Sequence, residues 1–260
     1  MQKLSNSFSL STIKTADYTP IDNFADGPDI WLDAHNEAQR REQADGAGVS
    51  EWVNLGVTSG TISVTQTTSG NQPTYDASDA SIKWESMLFD GTDDFFDFPT
   101  TYTTEDNFAF ACAFQSGTPS AEALLGGDTG GLNRVVVQGP NKLLVRFNGS
   151  GSTNSGIEVV INNTDNSTVN YSFSDIVEVL VMRKDTSNNL HFYNKDGDKI
   201  AYYAADTKTD QPLQIDRIGH LQNNSSHVGG RIGEWAIFRY DITEAEAIAV
   251  AKALHNKWKV

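Results

Sequence analysis

Three carboxylates fall within one short turn and form the clearest candidate for metal chemistry in this sequence. Asp90, Asp93 and Asp94 belong to the segment Asp90-Gly91-Thr92-Asp93-Asp94, which separates two apolar stretches. Oxygen-rich loops of this kind can bind a hard cation such as calcium. A solvated β-turn, in which Asp90 and Gly91 satisfy the turn geometry, explains the same residues and is the favoured alternative. Calcium is therefore the one metal cofactor that the sequence suggests, and none is required.

Sugar binding needs an exposed aromatic side chain beside groups that can form hydrogen bonds. The sequence offers three aromatic platforms and three polar loop residues for this purpose: Trp52, Tyr75, Tyr102, Asn133, Asn223 and Asn224. Tryptophans in a strand-rich pattern are more often core residues. A glycan site at these positions and a structural role are both compatible with the sequence.

The chain lacks the arrangements expected of a nucleophilic or zinc-dependent catalyst. Its five histidines are scattered, and no serine occupies a Gly-x-Ser-x-Gly turn. Cys112 is the single cysteine, so it cannot form an intramolecular disulfide or a thiolate zinc site. Its apolar neighbours predict a small buried side chain. His220 and His227 flank a polar loop and are expected to face solvent.

The charge balance narrows the choice of partners. The 260 residues include 34 acidic and 19 basic side chains, giving a formal net charge of −15. Nucleic acid and anionic membranes would be repelled by this excess, so neither is expected as a partner. Calcium, neutral glycans and basic protein surfaces are compatible with it, as is acidity that serves solubility alone. Self-association into a homo-oligomer is also compatible with the sequence.

Short strands separated by turn residues dominate the chain from Asp29 onward. About a dozen strand signals recur at spacings of about 8–12 residues, which is typical of a sandwich. The apolar run from Phe108 to Phe114 predicts a central strand buried on both faces. The Asp196-Gly197 pair predicts the apex of a hairpin. These signals indicate an all-β fold built from two antiparallel sheets.

The end of the chain combines a strand with a capped helix. In residues 233–242, Glu234 and Ala236 share one face of the strand, while Trp235 lies on the other. Thr243 and Glu246 have the spacing of a capping box, and helical periodicity follows them as far as residue 258. One terminal helix after a β-rich chain predicts a helix packed against the sandwich.

The first 28 residues differ from the rest. They are polar, show little periodicity and cannot bury enough surface to fold alone, so residues 1–28 are predicted to be an N-terminal arm that anchors the protein in an assembly. Residues 1–15 contain no continuous apolar core, which predicts synthesis in a cytoplasm without a signal peptide. Residues 29–260 would then form the folded domain.

The order of several landmarks resembles the concanavalin A-like lectin/glucanase superfamily, particularly its laminin-G-like jelly rolls. The landmarks are Trp31-Leu32-Asp33, Trp52, Pro73-Thr74-Tyr75, the segment from Leu88 to Asp94, and the ending with Gly233-Glu234-Trp235, Ile242-Thr243 and Glu246. The resemblance covers about residues 29–260. It implies a two-sheet jelly roll with the final helix docked against it. Copies with a polar arm, one cysteine and no signal peptide are similar to accessory proteins on tailed bacteriophage virions.

Glucanases of this superfamily place two acidic residues on one face of a strand as acid and nucleophile. No such run occurs here, and the nearest acidic groupings fall at strand starts or at the helix cap. Glu234 lies in the final strand without an acidic residue two or four positions away. A glycan hydrolase would therefore require an acidic pair assembled from distant segments.

Three functions follow from this resemblance and these residues. The leading hypothesis is a non-enzymatic virion protein, made in a host cytoplasm, that decorates a phage capsid or tail. Its arm would bind other virion proteins, and its sandwich could adhere weakly to host surface glycans for attachment. The alternative is a calcium-assisted, carbohydrate-binding lectin. The third function, a glycan hydrolase, has the least support.

Overall fold

The computed structural model describes residues 27–35, 43–58, 62–77, 84–116, 122–127, 133–147, 157–161, 171–173, 177–221 and 226–258. These segments contain sixteen strands, one 3-10 turn (Ser69–Asn71) and one helix, α1 (Glu244–Trp258). The strands are β1 (Ile30–Asp33), β2 (Glu51–Trp52), β3 (Val64–Thr65), β4 (Thr74–Asp76), β5 (Ser86–Leu88), β6 (Phe96–Thr103), β7 (Phe108–Ser116), β8 (Glu122–Gly126), β9 (Arg134–Val137), β10 (Lys142–Arg146), β11 (Ile157–Val160), β12 (Glu178–Lys184), β13 (Leu190–Tyr193), β14 (Lys199–Tyr203), β15 (Gln214–Ile218) and β16 (Gly230–Phe238). Within these segments, no helix is long and apolar enough to cross a membrane.

The strands form two antiparallel sheets that pack face to face. Sheet A has the order β14-β13-β12-β7-β16-β5-β4, with β1 pairing with β16 as well. Sheet B has the order β11-β10-β9-β8-β15-β6-β3-β2. The predicted all-β jelly-roll sandwich with a C-terminal helix is confirmed. Of the predicted arm, only Gly27 and Pro28 fall within the described residues.

Strand β7 contributes to both faces of sheet A: one face lines the core of the sandwich and the other contacts the helix. Phe108 and Phe110 point into the main core between the sheets, together with Cys112. The alternate residues Ala109 and Ala111 point to the opposite face and pack beneath α1. Small side chains on that face let the helix approach the sheet closely. The expected central strand, buried on both faces with an inaccessible cysteine, is confirmed.

The predicted capping box begins the helix. The Thr243 backbone N–H donates to Glu246 Oε2 at 2.7 Å, and the Glu246 N–H donates back to Thr243 Oγ1 at 3.2 Å. These reciprocal bonds satisfy donors that the first turn would otherwise leave without partners. Farther along, Ala251 and Leu254 bury their side chains against sheet A.

Candidate functional site

The acidic turn at one end of the sandwich brings its three carboxylates together. Ligand oxygens of Asp90, Asp93 and Asp94 all lie within 4.8 Å of one another. Asp90 Oδ1 also accepts hydrogen bonds from the Thr92 N–H at 2.7 Å and the Asp93 N–H at 3.2 Å. Gly91 has a φ of 78°, which suits glycine. The turn therefore has its own structural stabilisation, and the same geometry presents oxygens to a hard cation.

Asp94 is the buried member of this group. Its Oδ2 accepts the Asp90 N–H at 2.8 Å, which ties the two ends of the turn together. Burial raises the pKa of Asp94 to about 6, and the charges of Asp90 and Asp93 act in the same direction. A cation bound between the three carboxylates would lower the pKa of Asp94, because a positive charge favours the ionised carboxylate.

The aromatic platforms expected for sugar binding lie inside the protein. Trp52, Tyr75 and Tyr102 are 0%, 3% and 8% exposed, and all three belong to the main core. Trp52 packs against Phe96 with ring centroids 5.8 Å apart. Strand alternation turns these side chains inward, so the expectation that they offer exposed platforms is not met.

The polar residues expected beside those platforms do not complete a site there. Asn133 is also buried, and its Oδ1 accepts the Gln214 N–H at 3.3 Å. Asn223 and Asn224 lie outside the described residues. Burial and this bond indicate that Asn133 supports the interior strands of sheet B, where it joins the start of β15 to the segment before β9.

A different aromatic cluster lies directly beside the acidic turn. The Arg217 guanidinium carbon lies 4.3 Å from the centre of the Phe95 ring, and its Nε donates to Asp97 Oδ1 at 2.7 Å. The His220 ring lies 5.4 Å from Phe95 and stacks on His227 at 4.2 Å. His220 is 2% exposed, so the expectation that it faces solvent was wrong. Phe95, Arg217 and His227 are half-buried and form the accessible part of this cluster.

Close contacts join the acidic turn to the backbone next to His220 and His227, which pair as an isolated β-bridge. A side chain at Gly91 would lie 3.1 Å from the Gly229 Cα, and one at Gly219 would lie 2.4 Å from the Phe89 ring. Gly219 also has a φ of 88°, in the region that favours glycine. We call the combined unit the end site; it comprises Asp90, Asp93, Asp94, Phe95, Arg217 and His227.

The alternation of apolar residues in β6 indicates which side chains of this site point outward. Phe96 and Phe98 point into the core, so period 2 directs Phe95 and Asp97 outward. The sequence alone does not reveal that Asp97 pairs with Arg217, because 120 positions separate the two residues. That partnership depends on the pairing of β15 with β6.

Glu234 has an acidic neighbour that sequence spacing did not reveal. Asp33 is its direct cross-strand partner between β1 and β16. Lys257 Nζ lies 2.6 Å from Glu234 Oε2 and 2.7 Å from Asp33 Oδ2. Trp31 and Trp258 donate their indole N–H groups to Glu234 at 2.6 and 3.1 Å. We call these five residues the helix clamp.

The helix clamp is closed to solvent at its centre. Glu234 is fully buried beneath the end of α1, and burial raises its pKa while the charge of Lys257 lowers it. Lys257, Trp31 and Trp258 occupy the oxygens of Glu234, and the His35 N–H donates to Asp33 Oδ1 at 3.0 Å, which suits a structural role. A glycosidase carboxylate pair must instead reach the scissile bond.

Comparisons with known proteins place the chain by fold. No protein-family model matches the sequence, and no curated protein matches it. The binding domain of Paraclostridial Mosquitocidal Protein 1 is similar in structure, with a TM-score of 0.52, 12% identity and coverage of 81% of this chain and 51% of that one. The chain shares the fold of this domain, a two-sheet β-sandwich.

Two further solved structures have lower TM-scores. The CBM40 domain of the Ruminococcus gnavus IT-sialidase, bound to α2,3-sialyllactose, has a TM-score of 0.45 at 13% identity, covering 64% of this chain and 95% of that chain. The receptor-binding domain of botulinum neurotoxin type G has a TM-score of 0.49 at 11% identity, covering 86% and 51%.

Proposed function

We propose that the protein is a non-enzymatic, lectin-like module that binds a saccharide at the end site. The observation that carries this proposal is the Phe95–Arg217 stack beside the carboxylates of Asp90, Asp93 and Asp94. Sugar sites combine an aromatic face with fixed polar groups, because the ring covers apolar C–H groups and the polar groups bind hydroxyls.

The Arg217 guanidinium is held in a fixed position from which it can donate hydrogen bonds. Asp97 binds its Nε, and Nη1 lies 3.2 Å from His220 Nδ1. Among the described residues, nothing bonds to Nη2, so this nitrogen can donate to a ligand. A side chain already held in place loses little entropy on binding, which favours affinity.

Binding is a better fit than hydrolysis. The acidic pair Asp33 and Glu234 is engaged by Lys257 and covered by α1. The neighbour with a TM-score of 0.52 is named as a binding domain, which supports the same choice at the level of fold.

A glycan array tests this function, run with calcium and again with a chelator. We expect saccharide binding by the wild type and about tenfold weaker binding by Phe95→Ala, because the variant removes the accessible part of the ring and the surface on which Arg217 rests. Tyr203→Ala is the matched control, since it removes a half-buried aromatic from the far edge strand β14. Equal binding by both variants, or no binding by the wild type, would contradict the proposal. Loss of binding with chelator would bring calcium and the acidic turn into the site.

The bacteriophage role is the more specific part of this proposal. In that role the sandwich would decorate a capsid or tail, and residues 1–28 would bind neighbouring virion proteins. The fold itself uses the end of this segment: Gly27 O accepts the Tyr240 hydroxyl at 3.0 Å, and Pro28 O accepts the Val57 N–H at 2.9 Å. Deletion should therefore stop at residue 26. We expect that variant to fold and to be absent from purified particles; its incorporation would contradict the anchoring role.

A further inference from the structure

The helix clamp brings one amine and two carboxyl groups together at the end of α1. Lys257 Nζ lies 2.7 Å from Asp33 Oδ2 and 2.6 Å from Glu234 Oε2. A carboxyl carbon is one C–O bond, about 1.23 Å, from its oxygen, so the Asp33 Cγ is at most about 4 Å from the amine nitrogen. Groups that are held this close need little further ordering to react. The ion pair of the clamp therefore also places an amine against a carboxyl carbon.

Aromatic rings surround these three groups. Trp31 and Trp258 donate their indole N–H groups to Glu234. Lys257 Nζ lies 4.8 Å from the centre of the Trp258 ring, and Trp84 packs edge-on against the same ring with centroids 5.2 Å apart. Such surroundings exclude water, so an ammonium–carboxylate pair loses hydration there. Transfer of the ammonium proton to a carboxylate, which leaves a neutral amine, therefore costs less than it does in bulk water.

The two carboxyl groups differ in a way that suits them to different roles. Glu234 is fully buried; burial raises its pKa, the charge of Lys257 lowers it and the charge of Asp33 raises it. Glu234 is thus suited to accept a proton and return it. The Asp33 side chain keeps 9% of its surface exposed, and its Oδ1 accepts the His35 N–H at 3.0 Å. This hydrogen bond draws electron density from the Asp33 carboxyl group and makes its carbon the better electrophile.

We propose that Lys257 and Asp33 join in an intramolecular amide bond after folding, with Glu234 as the acid–base group. The Lys257 ammonium passes a proton to Glu234, and the amine lone pair forms a C–N bond to Asp33 Cγ. One C–O bond of Asp33 breaks, and its oxygen leaves as water with two protons that come from the Lys257 nitrogen through Glu234. Glu234 ends in the protonation state in which it began. The reaction needs no oxidant, reductant or co-reactant, and the exposed part of Asp33 gives the water a way out.

The amide bond ties the two ends of the folded domain together. Asp33 is the last residue of β1, and Lys257 lies in the last turn of α1. About 220 positions separate them in the sequence. A covalent link across so long a segment removes much of the conformational freedom of the unfolded chain, as a disulfide would, although Cys112 is the single cysteine. This inference is independent of the end site and of the saccharide proposed there.

Intact-mass measurement under denaturing conditions tests this bond. After incubation in the folded state, the wild type should be lighter than its sequence mass by one water molecule. Lys257→Arg keeps the positive charge beside both carboxylates, but its guanidinium does not lose a proton, so this variant should keep its full mass. Glu234→Gln should lose water more slowly by about 10²-fold or more, because an amide cannot carry the proton. Lys252→Arg is the matched control at an exposed lysine of the same helix and should react as the wild type does.

Peptide mapping of the same samples locates the bond, and circular dichroism checks that each variant is folded. Proteolysis of the wild type should yield one joined peptide that contains both Asp33 and Lys257. An Asp-Gly turn such as Asp90-Gly91 can also lose water by closing on its own backbone, but that loss stays within a single peptide and persists in Lys257→Arg. A wild type that keeps its full mass, a water loss confined to one peptide, or a joined peptide with Glu234 in place of Asp33 would overturn the proposal.

Discussion

Lys257→Met should destabilise the protein strongly, because it removes the only cation within the helix clamp as described. Glu234 is fully buried and Asp33 is 6% exposed, and Lys257 lies within 2.7 Å of a carboxylate oxygen of each. Methionine has a similar length, so it fills the space without supplying the charge. The variant leaves two carboxylates opposite each other without their counter-charge.

Breaking a buried ion pair by removing one partner costs about 3–5 kcal/mol. Melting temperature in chains of this size falls by about 2–4 °C per kcal/mol. We therefore expect a decrease of about 6–20 °C, and a matching loss in the free energy of unfolding measured with urea. Tryptophan fluorescence is a direct probe, since Trp31 and Trp258 both bond to Glu234.

The pH dependence of this variant provides a second, independent check. Burial raises the pKa of Glu234 in the folded state, and without Lys257 nothing described in the clamp would oppose that effect as strongly. A raised folded-state pKa means that the folded protein holds the proton more tightly than the unfolded chain. Lowering the pH from 7 towards 5 should therefore narrow the stability gap between Lys257→Met and the wild type.

Lys252→Met is the control, because Lys252 is an exposed lysine of the same helix. A surface substitution of this kind should change stability by no more than about 0.5 kcal/mol. If Lys257→Met also stays within about 1 kcal/mol of wild type, the clamp contributes little and the reasoning from burial fails.

Four further predictions concern the acidic turn, sheet A and the helix cap. If calcium binds the acidic turn, it should raise the melting temperature at pH 7.5 and less at pH 5, because Asp94 protonates near pH 6 and must lose its proton to bind; Asp94→Asn should abolish the effect. Without calcium, the raised pKa makes the contribution of Asp94 to stability fall as pH rises from 3.8 through about 6. Ala111→Leu should cost about 1–3 kcal/mol in urea unfolding, since it forces bulk between sheet A and α1; an unchanged midpoint would mean that α1 does not pack closely there. Thr243→Ala should cost about 1 kcal/mol by removing the acceptor for the Glu246 N–H, while Thr243→Ser should retain most of the stability.

Local patterns predicted the elements of this fold well. The alternation in β7 determines both of its buried faces, and the Thr243–Glu246 spacing determines where α1 begins. Such features depend on neighbours within a few residues, so one sequence contains all the information they need. The resemblance to lectin-like jelly rolls then added the arrangement of the sheets, which the structure confirms.

The sites were harder to predict, because they depend on register between distant strands. Asp33 and Glu234 are partners although about 200 positions separate them, and nothing in the spacing of either indicates the other. Aromatic residue type alone was misleading for Trp52, which is a core side chain. Residue type identifies a side chain that can stack on sugar, whereas burial decides whether it is available.

The helix covers one outer face of the sandwich but not the other, and this difference limits where ligands can bind. The helix covers the alanine-rich face of sheet A, and the helix clamp holds its end in place. Sheet B carries Arg217 on its outer face, where this arginine pairs with Asp97 and belongs to the end site, so ligand binding is expected on the side of the sandwich that α1 does not cover.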